Sequence, residues 1–515
     1  MFDSQTPSLF GFGTVWLPLP HVLILPFIVP LGWWQSGVGG SVYSMAAYVL
    51  ACVGLYRLTL RLTESRAAAG LAAAVFALNP NLLYMQATAM TESLYLALFL
   101  WATAYFTEFV EESRSPSDGW GPATRRSSAG ESPAPTGEDG YRRASRAATK
   151  CGLCIAAMVL TRYDGWFAGP FFVAAALAVL VRRRGWQFLE QKHAPLWRGV
   201  RNLALIALAA PVFWLAYNWV LNGHPLDFAL GPYSAKAIAE RTSTPGVFHP
   251  GHHDLWVAQT FVRKAAEMNL AEGAWQHVLF FGALACLGIA LTVSRRWLPV
   301  LLLWLPWAFY ALSVAYGSVP IFLPVWWPHS YYNVRYGLQL LPAVAVSLGL
   351  MWALAETTRL RYRAIANLAQ LVIVVAALGP LPYVWRATPI TLREAQANGK
   401  RRVAVERMVA ETLRELPAES RIMVYLGEHG GALQQAGIPL KRTINESTHL
   451  RSEMPHGLWE RALEDPKPYA DVLVAFPGDP VARAAGEHKA DLLTLTVIDY
   501  NGEEAAVLYA VKRAR

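Results

Sequence analysis

A carboxylate stands at the start of one of the longest apolar runs in the chain. The segment NPNLLYMQATAMTES (79–93) is a short polar break, and Glu92 near its end opens the hydrophobic stretch LYLALFLWATAYF. An acid at the mouth of a membrane helix is costly if buried, but the helix dipole favours it at a water-facing N-terminus. Glu92 is therefore either a helix-start acid, with Thr88 or Thr91 as the cap, or part of a site.

Two further short segments carry arginines beside apolar runs. TRYDGW places Arg162 and Asp164 at the tip of a hairpin, where they either form an interfacial ion pair or hold an anion that the acid helps to orient. NVRYGLQLLPA places Arg335 and Tyr336 at the mouth of another apolar run. The guanidinium of Arg335 either extends to a lipid headgroup or binds a phosphate with its planar fork.

The segment 222–274 mixes charged, histidine and aromatic residues without an apolar run. Tyr233, Lys236 and Arg241 lie in it, and its length predicts a lid or a binding loop. Its second half could supply metal ligands from His249, His252, His253 and Asp254. The spacing of these residues matches no zinc pattern. No cofactor is predicted. A divalent metal is left as an open alternative that no motif in the sequence supports.

Composition identifies the elements that must position these residues. Of 515 residues, 54% are hydrophobic and only 16% are charged, which is typical of a polytopic membrane protein. The net charge of +9 does not require a nucleic-acid partner, because the basic residues concentrate in particular loops. The apolar runs predict about ten spans, at 41–61, 67–84, 91–110, 149–163, 166–181, 202–221, 275–293, 298–316, 333–355 and 364–384.

Every second loop between these spans is basic, which predicts that the basic loops are cytoplasmic. All the polar segments described above then lie on the opposite, extracytoplasmic face of the plasma membrane. So does the tail 386–515, where a charged helix at 395–416 and short β-rich runs predict a small α/β domain. The membrane domain is 1–385, and the Pro/Ser/Arg-rich insert 113–146 within it is predicted to be disordered.

The N-terminal segment 14–34 is apolar but contains four prolines, so a regular spanning helix is not expected there. Its tryptophans favour a helix lying in the membrane interface. His21 is the one titratable side chain in this segment, and a headgroup or a backbone carbonyl is its more common partner.

Several of these strings, in this order and on one side of the membrane, resemble the GT-C glycosyltransferases close to family 39 and the aminoarabinose-transferase-like branch. They are GTVWLPLPH, NPNLLYMQATAMTES, TRYDGW, PLDFALGPYSAKA and NVRYGLQLLPA. The resemblance spans nearly all of 1–385. It implies a polyprenyl-phosphate-linked sugar as donor, an extracytoplasmic glycan, lipid or protein as acceptor, and entry of the donor from the membrane lipid.

Similar proteins begin with a membrane helix followed by an acidic motif that carries the presumed catalytic carboxylate. This sequence starts after that point, so we expect either a start further upstream or a truncated chain. Asp3 corresponds to a later position in the same loop. Sugar transfer with inversion needs a carboxylate base and cations on the departing phosphate. The candidate acids are Glu92, Asp164 and Asp3, and the candidate substrate-binding residues are Arg162, Arg335, Tyr336, His21, Lys236, Arg241 and Tyr233.

Two other classes of protein stay open at this stage. A transporter or flippase for lipid-linked sugars would place ionisable residues inside the spans, and the span interiors are nearly free of charge. A non-catalytic or truncated protein of the same fold would carry the tail as a partner-binding domain.

Overall fold

The protein is described by a computed structural model. It describes residues 9–113, 137–184, 195–242, 246–293, 297–358, 363–427, 429–446 and 457–512. The candidate acid Asp3 and most of the insert lie outside these ranges. The end of the insert belongs to a helix that begins at Gly137, so the prediction of disorder is wrong for 137–146.

The membrane part begins with two short helices, α1 (Pro18–Ile28) and α2 (Leu31–Ser36), as the prolines predicted. Two prolines lie in the first turn of α1, where no backbone donor is needed. The first half of the bundle continues with α3 (Val38–Thr63), α4 (Arg66–Ala77), α5 (Pro80–Gln86), α6 (Glu92–Glu112), α7 (Gly137–Val159), α8 (Tyr163–Arg184) and α9 (Pro195–Asn222).

The second half contains α10 (Asp227–Leu230), α11 (Ala235–Thr242), α12 (Leu255–Leu270), α13 (Trp275–Val293), α14 (Trp297–Leu302), α15 (Leu305–Tyr316), α16 (Leu341–Thr358), α17 (Arg363–Leu378) and α18 (Leu381–Arg386). Three of these helices lie in 222–274, so the prediction of a loop without secondary structure is wrong there. Asp254 caps α12 by accepting from the backbone N–H of Val257 at 2.9 Å, and Ala258 and Val262 then pack on α15.

Seven helical segments of the described chain are long and apolar enough to cross a membrane, and two bent helix pairs bring the number of candidate spans to nine. The chain is a multi-pass membrane protein. The predicted span 67–84 is interrupted, because α4 and α5 meet at 64°. The predicted span 275–293 is α13, which follows α12 at 111°. The predicted span 149–163 is the apolar half of α7, whose first half is charged.

The core of the bundle surrounds α6, which packs between α3 and α7. Phe99 and Phe106 of α6 meet the ring of Phe172 on α8 edge-on, with ring centroids 6.3 and 5.7 Å apart. Edge-on contacts between buried aromatic rings add to the stabilisation that comes from burial alone. The first residue of α6, Glu92, is therefore held by a helix that is fixed on several sides.

The tail is a small α/β domain, as predicted. It begins with α19 (Ile390–Arg414), and Val405, Val409 and Leu413 on this helix enter the core of the tail. The sheet of the tail has five strands, β1 (Ile422–Val424), β2 (Thr443–Ile444), β3 (Val472–Ala475), β4 (Leu492–Tyr500) and β5 (Glu503–Val511). Their order is β2-β1-β3-β5-β4, with β1, β2 and β3 parallel and β5 antiparallel to both β3 and β4. The accompanying helices are α20 (Gly430–Ala436), α21 (Leu458–Glu464) and α22 (Pro480–Glu487).

The four β-rich runs all form strands, whereas β2 was not predicted because only two residues pair with β1. The tail contacts the membrane part through α20 and through the start of α19. The side chain of Gln434 on α20 donates to the carbonyl of Trp34 on α2 at 2.6 Å. The first turn of α19 is buried, and the backbone N–H of Thr391 donates to Asn81 Oδ1 on α5 at 3.1 Å.

Candidate functional site

Glu92 is fully buried at the N-terminus of α6. In the segment before it, Asn79 Oδ1 accepts from the backbone N–H of Leu82 at 3.0 Å and so begins α5. Thr91 precedes α6, but neither its side chain nor that of Thr88 caps the helix, so the expectation of a threonine cap is wrong. The partial positive charge of the helix N-terminus favours an ionised carboxylate at this position. Burial removes the water that would otherwise solvate it, so nearby cations are needed to balance the charge.

The hairpin between α7 and α8 brings the first cation. Gly165 allows the close approach of the two helices, because a Cβ at this position would lie 2.7 Å from the backbone of Met158. The hairpin directs Arg162 inward, and its Nε lies 3.1 and 3.2 Å from the two oxygens of Asp164. The predicted pair therefore exists, but it is buried and not interfacial.

Arg162 joins the hairpin to α6 and α15. Its Nη1 donates to Thr91 Oγ1 at 3.0 Å and to Glu92 Oε1 at 3.1 Å, and its Nη2 donates to the hydroxyl of Tyr310 at 2.9 Å. The same hydroxyl donates to Asp164 Oδ2 at 2.7 Å. Every nitrogen of the Arg162 guanidinium thus donates to a protein oxygen.

The second cation comes from the 3₁₀ helix Val334–Leu340. Nε of Arg335 donates to Glu92 Oε1 at 3.1 Å, and its Nη1 lies 3.4 Å from Glu394 Oε1 on α19. Glu394 also accepts from the backbone N–H groups of Asn333 (2.7 Å) and Val334 (3.1 Å), so it caps the start of this 3₁₀ helix. A residue of the tail helix thereby fixes the segment that carries Arg335.

Aromatic rings enclose the two guanidinium groups. The ring of Tyr336 stacks on that of Tyr310 with a centroid distance of 4.6 Å. The guanidinium carbons of Arg162 and Arg335 lie 5.5 and 5.1 Å from the centroid of Tyr336, within the range of cation–π attraction. Tyr336 thus contacts both cations.

We call this set of side chains the Glu92 cluster, and its members are Glu92, Asp164, Glu394, Arg162, Arg335, Tyr310 and Tyr336. It contains three carboxylates and two guanidinium groups. Within the described part of the chain, three polar groups of the cluster have no hydrogen-bond partner: Nη2 of Arg335, Oε2 of Glu92 and the hydroxyl of Tyr336. The side chain of Arg335 is 24% exposed, whereas that of Glu92 is 0% exposed. Arg335 is therefore the cation with a donor left for an external anion.

Searches with the sequence matched no family model and no curated protein. The structure, however, matches solved structures over almost its whole length. Against ArnT from Cupriavidus metallidurans in the apo state, the TM-score is 0.54 at 12% identity, covering 96% of this chain and 87% of that chain. Against the same protein bound to undecaprenyl phosphate, the TM-score is 0.52 at 13% identity with the same coverage. The chain has the GT-C fold.

A third match is the archaeal oligosaccharyltransferase AglB from Archaeoglobus fulgidus, in complex with an inhibitory peptide and a dolichol-phosphate. Its TM-score is 0.44 at 14% identity, covering 89% of this chain and 61% of that chain.

Four residues selected from the sequence lie outside the Glu92 cluster of this GT-C chain. The ring of His21 is exposed and packs edge-on against Phe12, with centroids 6.3 Å apart. Lys236 is exposed, and Arg241 donates to the backbone carbonyl of Pro232 at 2.7 Å. None of these three side chains has a hydrogen bond or ion pair to the cluster among the described residues.

Tyr233 is the fourth, and it faces the tail. Partial burial raises the pKa of the Tyr233 hydroxyl, and the nearby Tyr425 and Glu446 of the tail raise it further. Tyr233 is 44% exposed and lies near the tail, outside the Glu92 cluster.

The histidines of 249–254 pack on one another and on neighbouring aromatic rings. The centroids of His252 and His253 are 4.2 Å apart, and the ring of Phe248 stacks on His252 at 4.4 Å. Among the described residues, no group of three His, Cys, Asp or Glu side chains is arranged to hold a metal ion.

Two members of the Glu92 cluster were missed by the sequence analysis. Tyr310 lies inside an apolar span, where its hydroxyl needs a partner because no water is present, and this requirement is the signal that would have identified it. Glu394 lies just after the first turn of a helix rich in charges, so nothing in the local sequence separates it from a solvated acid.

Proposed function

We propose that this chain is a membrane glycosyltransferase that moves a sugar from a polyprenyl-phosphate donor to an extracytoplasmic acceptor. The observation that carries the proposal is the Glu92 cluster, a buried set of paired charges that ends in one partly exposed arginine. The cluster lies where apolar helices end, so a lipid-borne phosphate could reach it from the membrane. The GT-C fold supports the proposal, since ArnT from Cupriavidus metallidurans has been solved with undecaprenyl phosphate bound.

In the proposed reaction, the bond between the anomeric carbon of the sugar and the phosphate oxygen of the donor breaks. A bond forms from the acceptor hydroxyl to the same carbon. The electron pair of the broken bond stays on the polyprenyl phosphate, and a carboxylate takes the proton of the hydroxyl. Negative charge grows on the leaving phosphate, and a preorganised cation lowers the barrier most when it lies at that point.

Arg335 is the residue that we assign to the leaving phosphate. Its Nε and Nη1 are held by Glu92 and Glu394, so the plane of the guanidinium is fixed and Nη2 is left to donate. A guanidinium fixed in this way binds an anion without first losing side-chain freedom.

Glu92 and Asp164 were selected as catalytic acids, and we propose positioning roles for both. Both oxygens of Asp164 already accept hydrogen bonds from Arg162, and Oδ2 also accepts from Tyr310. Glu92 is fully buried and holds both arginines with one oxygen. The general base must contact the acceptor hydroxyl, so we assign it to a carboxylate outside the cluster, with Asp3 as the candidate that the sequence offers.

The first prediction concerns Arg335. The variant Arg335→Gln removes the fixed cation, and we expect sugar transfer to fall about 100-fold or more, the usual cost of losing one preorganised donor to a developing charge. The measurement uses the full chain in proteoliposomes with polyprenyl phosphates that carry a radiolabelled hexose or pentose, and envelope membranes as the source of acceptors.

Arg401→Gln is the matched control, because Arg401 is 58% exposed and pairs only with Glu503 in the described structure. It removes the same charge from the same side of the membrane and is expected to retain full transfer. Transfer at the wild-type rate by Arg335→Gln would contradict the assignment. Movement of the lipid-linked sugar across the bilayer without transfer would favour the flippase alternative.

A further inference from the structure

A second group of charged side chains lies at the bend between α12 and α13, apart from the Glu92 cluster. Arg263, Lys264 and Glu267 are on α12, and Gln276 and His277 are at the start of α13. Arg263 forms an ion pair with Glu267, and Lys264 Nζ lies 2.5 Å from Gln276 Oε1 and 3.6 Å from Glu267 Oε2. His277 Nδ1 lies 3.1 Å from the same carboxylate oxygen. We call these five side chains the α12–α13 corner.

Positive charge exceeds negative charge at this corner. Glu267 is its one carboxylate and is 0% exposed, whereas two permanent cations, Arg263 and Lys264, surround it, and His277 adds a third positive charge when protonated. A single buried carboxylate can neutralise one of these cations. The positive charge that is not neutralised attracts an external anion, particularly at a low-dielectric membrane surface.

The corner opens toward the lipid. On α13, the side chains of Val278 and Phe281 are 53% and 48% exposed, as expected of a helix face that contacts hydrocarbon. The guanidinium carbon of Arg263 lies 5.5 Å from the centroid of Phe281, and Trp275 is exposed at the start of the helix, where membrane proteins place interfacial anchors. Cations at this level meet the phosphates of lipid headgroups.

The corner is also tied to the segment that carries Arg335. A Cβ on Gly337 would lie 2.4 Å from the backbone of Ala265, so this part of α12 touches the 3₁₀ helix directly. One turn later, Asn269 Nδ2 donates to the carbonyl of Val334 at 2.8 Å. The corner therefore lies on the same side of the membrane as the Glu92 cluster, one helix away from it.

We infer that the α12–α13 corner binds the phosphate of a membrane lipid, in a site separate from the Glu92 cluster. Lys264 and His277 supply donors to the phosphate oxygens, Arg263 is held on Glu267 and adds charge, and the acyl or prenyl chain lies along Val278 and Phe281. Phospholipids and polyprenyl phosphates share this chemistry. The inference does not depend on the proposed transferase activity.

The test is lipid binding by the full chain, measured as lipids retained in native mass spectrometry and as affinity in nanodiscs. The probes are phosphatidylglycerol, undecaprenyl phosphate and, as a lipid without net charge, phosphatidylcholine. The double variant Lys264→Gln/His277→Gln removes the two donors assigned to the phosphate, of which His277 is the exposed one, and leaves the Arg263–Glu267 pair intact. We expect the anionic lipid that occupies the corner to bind the double variant at least about five-fold more weakly for each cation removed.

Lys400→Gln is the matched control, because Lys400 is an exposed cation on α19, outside the corner. Loss of phosphatidylglycerol alone would identify a phospholipid site, and loss of undecaprenyl phosphate alone would identify a site for the carrier lipid. Either result supports the inference. Unchanged binding of both anionic lipids, or a lower thermal unfolding midpoint without weaker binding, would overturn it and leave the corner a structural ion cluster.

Discussion

The hydroxyl of Tyr310 is the single neutral group that links a cation and an anion in the Glu92 cluster. It accepts from Arg162 and donates to Asp164 Oδ2 at 2.7 Å, so its orientation is fixed. Burial makes each of these hydrogen bonds expensive to lose, since no water replaces the missing partner. The Tyr310 hydroxyl is thus one of the groups that hold the Arg162 guanidinium in place, although the two residues are far apart in the sequence.

We predict that Tyr310→Phe destabilises the fold by about 1–3 kcal/mol, the usual cost of leaving a buried polar group unpaired, because Nη2 of Arg162 then loses its acceptor. Thermal unfolding in detergent measures this change. The matched control is Tyr316→Phe at the end of the same helix, because the side chain of Tyr316 is 59% exposed. Equal unfolding midpoints for the two variants would show that the Tyr310 hydroxyl contributes little.

At the scale of elements, Glu394 makes α19 a part of the site. Its carboxylate accepts from two backbone N–H groups at the start of the 3₁₀ helix and from Arg335. An amide cannot replace this carboxylate, because the NH₂ group of the amide is a donor and would face a backbone N–H, which is also a donor. The fixed orientation of Arg335 therefore requires a carboxylate at this position.

Glu394→Gln is expected to lower both the stability, by about 1–3 kcal/mol, and the rate of sugar transfer. A positioning role predicts a lower kcat with a smaller change in the KM for the donor, since Arg335 is still present but less well oriented. Glu411→Gln, an exposed acid on the same helix, is the control. A variant with wild-type kcat would exclude the positioning role.

The elements were predictable to different degrees. Long apolar runs such as the one after Glu92 dictate membrane helices, because the hydrocarbon tolerates little else. The charges of the loops also grouped Glu92, Arg162 and Arg335 on one side, and the structure brings these three into contact. Contacts such as that of Arg162 with Tyr310 join residues 148 positions apart, and neither periodicity nor composition carries that information.

In the segment 222–274, by contrast, the secondary structure itself was predicted wrongly. Its many polar residues indicated a loop, yet α12 forms there because one face of the helix is apolar and packs on α15. The histidines that could have supplied metal ligands pack on one another and on aromatic rings. Polar composition alone does not exclude a helix when its apolar residues recur at helical spacing.

At the scale of the whole molecule, the alternation of basic loops predicts which side of the membrane holds the tail. A C-terminal fusion to alkaline phosphatase should be active, and a C-terminal fusion to green fluorescent protein should be dark, because the tail is predicted to be extracytoplasmic. Fusions inserted after Arg184, in a predicted cytoplasmic loop, should give the opposite pattern. A fluorescent C-terminal fusion would reverse the assigned orientation.

The continuity of α19 gives the molecule a mechanical property. Glu394 near its first turn contacts the Arg335 segment, and Val405 to Leu413 near its end lie in the tail core. The helix has 25 residues and is about 37 Å long, so a tilt of about 10° about its centre would move each end by about 3 Å. A ligand of the tail that tilted α19 would move Glu394 and so change the affinity of Arg335 for a donor. By thermodynamic reciprocity, a donor bound by Arg335 would then change the affinity of the tail for that ligand by the same factor.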